Sequence, residues 1–237
     1  MWDILPSLRL KKLVRKLISF KCVLCAANAT QTDFFCEPCY LELPWVNQAC
    51  VQCAQPVTGS SQCGACQKNP PPFDATFVAC DYRFPMPELI SRVKFQKQFV
   101  TGRILGELLC LQQHKYPVKP DLIIPMPLHV KRLRERQFNQ ALEIARPLAN
   151  AWNIPIMPRV CQRIKPTLAQ SSLNFQSRQS NIKGAFHTEM SFTHQHVAIV
   201  DDVLTTGSTV RELATTLKKA GAAKISVWCV ARSLPHH

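Results

Sequence analysis

Residues 197–210 read VAIVDDVLTTGSTV: an apolar run, two adjacent carboxylates, then a turn of small and hydroxylated residues. The run predicts a buried strand over residues 197–200, with Asp201 and Asp202 leaving its carboxyl end and Thr205 to Thr209 turning into a helix. A helix start offers unpaired N–H groups and a partial positive charge, which suits a phosphate dianion. Gly207 permits close backbone approach, and Thr206, Ser208 and Thr209 add hydroxyl donors. Two carboxylates repel a phosphate, but they accept hydrogen bonds from vicinal hydroxyls when a divalent cation offsets their charge. A ribose 5-phosphate carries both kinds of group. The plain alternative is an Asp turn followed by a Ser or Thr helix cap, which is what a bare DD-x-x-T more often means.

A second set of residues has metal-binding spacing. Eight of the 12 cysteines form four C-x-x-C pairs: Cys22/Cys25, Cys36/Cys39, Cys50/Cys53 and Cys63/Cys66. Two intervening residues let both sulfurs of a pair face one ion, and a second pair completes a tetrahedral site. The succession predicts zinc ribbons with sequential pairing, first with second and third with fourth. Four thiolates leave no position open for water, so the zinc is structural rather than catalytic. So short a segment has little apolar core, and metal binding supplies much of its folding free energy, on the order of 10 kcal/mol per site. Cys80, Cys110, Cys161 and Cys229 lack such spacing and read as small buried hydrophobes.

The elements that hold these groups follow from length and pattern. At 237 residues and 46% hydrophobic, the chain buries one substantial core with a small module beside it. No apolar stretch reaches the length of a membrane span. The net charge of +14 calls for an anionic partner, and residues 81–237 hold 22 basic against 10 acidic side chains, so the anion meets the C-terminal part. Residues 1–20 predict an amphipathic helix whose cations break any signal-peptide centre, which places the protein in the cytoplasm. That helix packs on the protein or lies on the inner membrane face as a peripheral contact. Residues 21–68 form the double zinc ribbon, and three prolines mark a stiff junction before a larger domain over 73–237.

Within that domain FVACDYRF, DLIIPMPL, HVAIVDD and KISVWCVARSL read as strands, with a weaker one near IMPRVCQ. PMPELISRVKFQ, TGRILGELLCLQQHKY, LRERQFNQALEIARPLANAWN and STVRELATTLKKAG read as helices, the last with Gly221 as its C-cap. The polar stretch TLAQSSLNFQSRQSNIKGAF reads as a long functional loop. Alternating strands and helices predict an α/β fold, a mostly parallel sheet covered on both faces, with its ligand beyond the carboxyl ends of the strands.

VAIVDDVLTTGSTV resembles the phosphoribosyl pyrophosphate (PRPP) motif of type I phosphoribosyltransferases. The whole chain resembles the ComF family of competence proteins, including its GntX-like members. The likeness runs from the cysteine knuckles through VKF at 93–95, PMPLH at 125–129 and RLRERQFNQA at 132–141 to R-x3-T-x2-Q-x7-R-x2-N-x4-F between Arg163 and Phe186. The family usually has Gly where Gln137 stands.

The resemblance implies that Asp201 and Asp202 hold ribose hydroxyls and that Thr205, Thr206, Gly207, Ser208 and Thr209 surround the 5-phosphate. It implies that Pro127, Leu128 and His129 approach a pyrophosphate carrying Mg2+, with Lys94, Arg132 and Arg136 as further contacts. Arg163 and Arg178 are candidate catalytic residues on a lid; alternatively Thr167, Gln170, Arg178 and Asn181 belong to a fixed partner surface. Thr205 stands where hypoxanthine and guanine transferases carry an acid for proton exchange with the base. Two functions stay open: a phosphoribosyltransferase that handles imported DNA in transformation, or a non-catalytic PRPP sensor that binds single-stranded DNA or other DNA-uptake proteins.

Overall fold

The computed structural model describes residues 20–96, 99–112, 118–166 and 182–234. The predicted helix up to residue 19, and the stretch holding Thr167, Gln170, Arg178 and Asn181, lie outside them. The chain divides into two units, 1–43 and 44–237. The first unit holds two knuckles and a short helix, α1 (Glu37–Leu41). The second begins with the other two knuckles, so the two ribbons expected together over 21–68 belong to different units.

In residues 44–237 the first elements are α2 (Gly64–Lys68), β1 (Ala75–Asp81), α3 (Met86–Gln96) and α4 (Phe99–Leu111). Then come β2 (Leu122–Pro125), α5 (Val130–Arg136) and α6 (Gln140–Trp152). The chain ends with β3 (Gln162–Arg163), β4 (Phe186–His187), β5 (His196–Leu204), α7 (Ser208–Lys219) and β6 (Lys224–Arg232). Four strands form one parallel sheet in the order β1-β6-β5-β2. Parallel strands covered on both faces read as continuous apolar runs, and β5 and β6 are buried almost throughout. On one face Val197, Ile199, Ile225 and Val227 pack with Val210, Leu213 and Leu217 of α7. On the other, Trp228 meets Trp152 of α6 edge to face, ring centroids 4.8 Å apart. Helices α4 and α6 lie so close that a Cβ on Gly106 would meet the Ile144 carbonyl oxygen at 2.3 Å.

Two boundaries differ from the sequence reading. The stretch LRERQFNQALEIARPLANAWN is two helices, not one, because Gln137 adopts φ 68° and closes α5 with a left-handed residue. Asn139 then restarts the chain as the cap of α6, accepting from Ala141 N–H at 3.0 Å. The second difference is in β5. It does not end before the two aspartates but carries them, pairing Asp201 with Cys229, Val203 with Ala231 and Leu204 with Arg232. Its other neighbour stops earlier, since β2 ends at Pro125, opposite Val200. The acids therefore sit on a strand held on one side and open on the other. The weak strand near IMPRVCQ reduces to a single parallel bridge, Ile156 with Ile123, followed by β3. Gly221, at φ 95°, closes α7 as expected: Ala222 N–H donates to Leu217 O and Gly221 N–H to Lys218 O, both at 3.0 Å.

Candidate functional site

Where β5 outruns β2, the sheet leaves a solvent-open cavity of about 150 Å3. Asp201 and Asp202 both line it, joined by Thr205, Gly207, Ser208 and Thr209 from the turn into α7 and by Lys94, Leu128, Arg132, Arg136 and Arg163. Both aspartates thus border one space, although successive side chains of a regular strand point to opposite sides. Each carboxylate accepts from the next amide: Asp202 N–H donates to Asp201 Oδ1 at 2.9 Å, and Val203 N–H to Asp202 Oδ1 at 2.7 Å. Asp202 also meets Lys94 Nζ through Oδ2 at 2.9 Å.

The turn suits an anion. Gly207 caps α7 at φ 76° and has no side chain to offer the helix amides, while Thr206 Oγ1 accepts from the first of them, Ser208 N–H, at 3.4 Å; the helix start still carries its partial positive charge. The Thr206 and Ser208 hydroxyls are 2.9 Å apart, and Ser208 and Thr209 line the cavity. Thr206 reaches the cavity only through Ser208. In the turn after β2, Leu128 alone of the three expected residues lines the cavity. Pro127 is buried, and His129 caps α5, its Nδ1 accepting from Lys131 N–H at 3.3 Å. The four cations come from three places: Lys94 from α3, Arg132 and Arg136 one turn apart on α5, and Arg163 from β3, stacked 5.7 Å over the Phe186 ring.

Charge balance follows from burial. Burial, then the neighbouring Asp202 charge, push Asp201 up to about 7. Burial works against the Lys94 charge, but Asp202 outweighs it and holds the ammonium above its usual range. Burial pulls Arg136 and Arg163 down from theirs. Lys94 thus answers one carboxylate and leaves the other short of positive charge, which fits a divalent cation arriving on a ligand.

The cysteines separate into two sets, Cys22/Cys25/Cys36/Cys39 and Cys50/Cys53/Cys63/Cys66, with all ligand sulfurs of each set within 4.8 Å of one another. Pairing is sequential. The two sets are built alike. CVLCA and CVQCA each make a knuckle closed by an alanine at positive φ, Ala26 at 61° and Ala54 at 55°. CEPC and CGAC each open a short helix. Burial opposes ionisation of Cys22 and Cys50, but backbone amides outweigh it and bring these thiols to about 6 and about 7. Burial, then sulfur neighbours, hold the Cys53 and Cys66 thiols up, the Cys36 sulfur and then burial do so for Cys39, and in Cys36 burial and sulfur neighbours outweigh the Cys39 amide. It is therefore the gathering of four sulfurs within one ion's reach that fits structural zinc, whose charge offsets their ionisation. Cys80, Cys161 and Cys229 are buried as small hydrophobes, and Cys110 is partly buried.

Sequence reasoning missed three contributors. Gln140, buried with its Oε1 lacking a partner, lines the cavity, and its place in RLRERQFNQA could have marked it. Asn139 holds the preceding turn by donating from Nδ2 to Met126 O at 3.1 Å. Arg232 carries no local signal at all, since it reads as the tail of an apolar strand.

Fold and site together define a phosphoribosyltransferase-type α/β domain preceded by zinc ribbons, and sequence comparison agrees. A double zinc ribbon domain matches residues 13–67 and a phosphoribosyl transferase domain residues 141–234. Competence protein F of Haemophilus influenzae is 34% identical, over 91% of this chain and 98% of that protein. DNA utilization protein YhgH of Escherichia coli K12 is 36% identical over 78% of this chain and 84% of its own length. A purine phosphoribosyltransferase structure from Pyrococcus horikoshii is 22% identical, spans 54% of this chain and 70% of that one, and gives a TM-score of 0.35. The chain belongs to the competence protein F (ComF) family.

Proposed function

We propose that this protein binds PRPP with Mg2+ in the cavity at the end of β5 and serves the uptake and use of external DNA, as the names of its relatives indicate. One observation carries the reading: two aspartates and a hydroxyl-rich helix start with glycine as its N-cap line the same small cavity, together with four cations. The ribose hydroxyls donate to Asp201 and Asp202. The 5-phosphate sits on the turn from Thr205 to Thr209, and the pyrophosphate lies toward Lys94, Arg132, Arg136 and Leu128. Mg2+, bound mainly by pyrophosphate oxygens, adds the positive charge that Asp201 lacks.

Turnover on this reading is displacement at C1 of the ribose. A nitrogen nucleophile forms the N–C1 bond, the C1–O bond breaks, and its electron pair leaves with pyrophosphate. Arg132, Arg136 and Arg163 stabilise the departing charge, and the carboxylates face the positive charge that develops on the sugar. Thr205 does not ionise near neutrality, so the acceptor exchanges no proton with that position. Among the described residues no helix is long and apolar enough to cross a membrane.

Calorimetry with PRPP and Mg2+ on the full chain tests the reading. Wild type binds and the Asp201→Asn/Asp202→Asn variant does not; a wild type that fails to bind overturns it. Pyrophosphate release with a panel of nitrogen acceptors then separates turnover from sensing. Exposed Lys131 and Arg134 lie on α5 outside the cavity, so contact with a DNA backbone does not compete with PRPP for them.

A further inference from the structure

The carboxyl end of β6 carries a buried arginine that the sugar-phosphate reading does not use. Arg232 is 4% exposed, and its guanidinium serves main-chain carbonyls from three segments. Nε–H donates to Cys53 O at 3.1 Å, in the first knuckle of the second cysteine set. Nη1 donates to Leu204 O at 2.8 Å, to Thr205 O, and to Ser233 O at 2.8 Å. One rigid, planar group therefore bridges a metal knuckle and the first residues of the phosphate turn.

Geometry gives the bridge a consequence. A trans peptide directs its C=O and the following N–H to opposite sides. Holding the carbonyls of Leu204 and Thr205 thus fixes the N–H groups of Thr205 and Thr206 away from Arg232, in a turn whose residues line the cavity. Charge complements geometry, because a divalent ion among four thiolates totals a charge of −2, and that set lies beside a buried cation. The ribbon is itself seated on the sheet. Thr76 of β1 donates from N–H to Val51 O at 2.8 Å and from its hydroxyl to Gln52 O, so the two residues between Cys50 and Cys53 are both anchored.

We propose that Arg232 is a positioning residue that ties the second cysteine set to the phosphate turn. Metal at Cys50, Cys53, Cys63 and Cys66 then sets the order of residues 204–207 and, through it, the affinity for a phosphorylated ribose. The affinity clause rests on the PRPP reading; the tie itself does not. The metal site at Cys22, Cys25, Cys36 and Cys39 has no part in it.

Amide hydrogen exchange on the full-length, PRPP-free protein tests the tie, with zinc content measured alongside. Arg232→Met keeps its zinc yet exchanges the 204–210 segment about tenfold faster, while β1 stays protected. Cys66→Ser loses one zinc and loosens the same segment. Cys22→Ser loses one zinc and leaves that segment unchanged. Arg232→Lys, which keeps charge and a donor, falls between wild type and Arg232→Met. If Arg232→Met strips protection from β1 as well, it has failed to fold, and Arg232→Lys with Cys66→Ser decides the matter. Unchanged exchange at 204–210 in the folded variants overturns the tie, as does equal loosening by Cys22→Ser. PRPP–Mg2+ calorimetry on the same variants shows affinity about tenfold weaker in Arg232→Met. A wild type that does not bind PRPP sinks the proposed function, while the exchange data still judge the tie.

Discussion

Lys94, at the end of α3, and Asp202, on β5, form an ion pair of 2.9 Å in which the carboxylate side chain is 8% exposed and the ammonium 24%. The pair removes one of two adjacent negative charges from the cavity before any ligand arrives. Without it, two carboxylates side by side on one strand would repel each other and any incoming pyrophosphate. Lys94→Met leaves a buried carboxylate unanswered and lowers stability by about 1–3 kcal/mol. The Lys94→Met/Asp202→Asn double variant regains most of that in urea titrations, yet neither variant regains PRPP affinity. Full recovery of PRPP binding by the double variant would exclude Lys94 as a ligand contact.

Asp201 sets a pH dependence with a definite sign. Its carboxyl moves from an ordinary 3.8 up to about 7 in the folded protein. Between those values the folded chain holds a proton that the unfolded chain has released, so stability from this group is full below about 4 and is lost as pH rises through about 7. PRPP binding runs the other way. The hydroxyls need an ionised acceptor, so affinity rises toward about 7 and then levels. Calorimetry across pH shows that break in wild type. It is absent in Asp201→Asn, which separates it from the titration of PRPP itself.

Three of the five non-glycine residues at positive φ among the described residues identify substitutions that stabilise. Gln137, Ala26 and Ala54 lie at 68°, 61° and 55°, where a Cβ is strained and glycine is not. Gln137→Gly raises stability by about 0.5–1 kcal/mol in denaturant melts. Ala26→Gly and Ala54→Gly each raise the chelator concentration needed to release zinc.

The cations of α5 divide by face. Arg132 and Arg136 line the cavity, whereas Lys131 and Arg134 are exposed and do not. Arg136→Ala weakens PRPP binding about tenfold or more, and Arg134→Ala leaves it unchanged. If single-stranded DNA binds, Lys131→Ala/Arg134→Ala lowers the salt dependence of that binding, by roughly one unit of slope per lost phosphate contact. Equal effects of Arg134→Ala and Arg136→Ala on PRPP would contradict the division.

Much of this was legible in the residues themselves. C-x-x-C spacing predicts the two cysteine sets because ligand geometry is local, and the strand–acid–turn–helix run brings its two aspartates and its small-residue turn to one cavity for the same reason. What eluded the sequence depends on relative strand lengths and on distant partners. That β5 continues to Leu204 follows from its pairing with β6, which no local pattern around DD reveals. Gln137 looks like one more helix former between Arg136 and Phe138; only the fold shows its left-handed backbone, which suits the glycine that the resemblance led one to expect there. Pro127 and His129 belong to PMPLH, whose Met126 and Leu128 reach the cavity instead. Arg232 meets Cys53 from 179 positions away.

The unequal reach of β5 and β2 separates what is fixed from what is free to change. Asp201 and Asp202 are built into a strand that β6 locks in register, so the proposed grip on a pentose cannot drift without unmaking the sheet. Whatever approaches the far side of the sugar is met by segments outside that lattice, which can exchange residues at small structural cost. On the proposed reading, the acceptor side of such a site can therefore change, or fall silent, while the pentose side stays as it is.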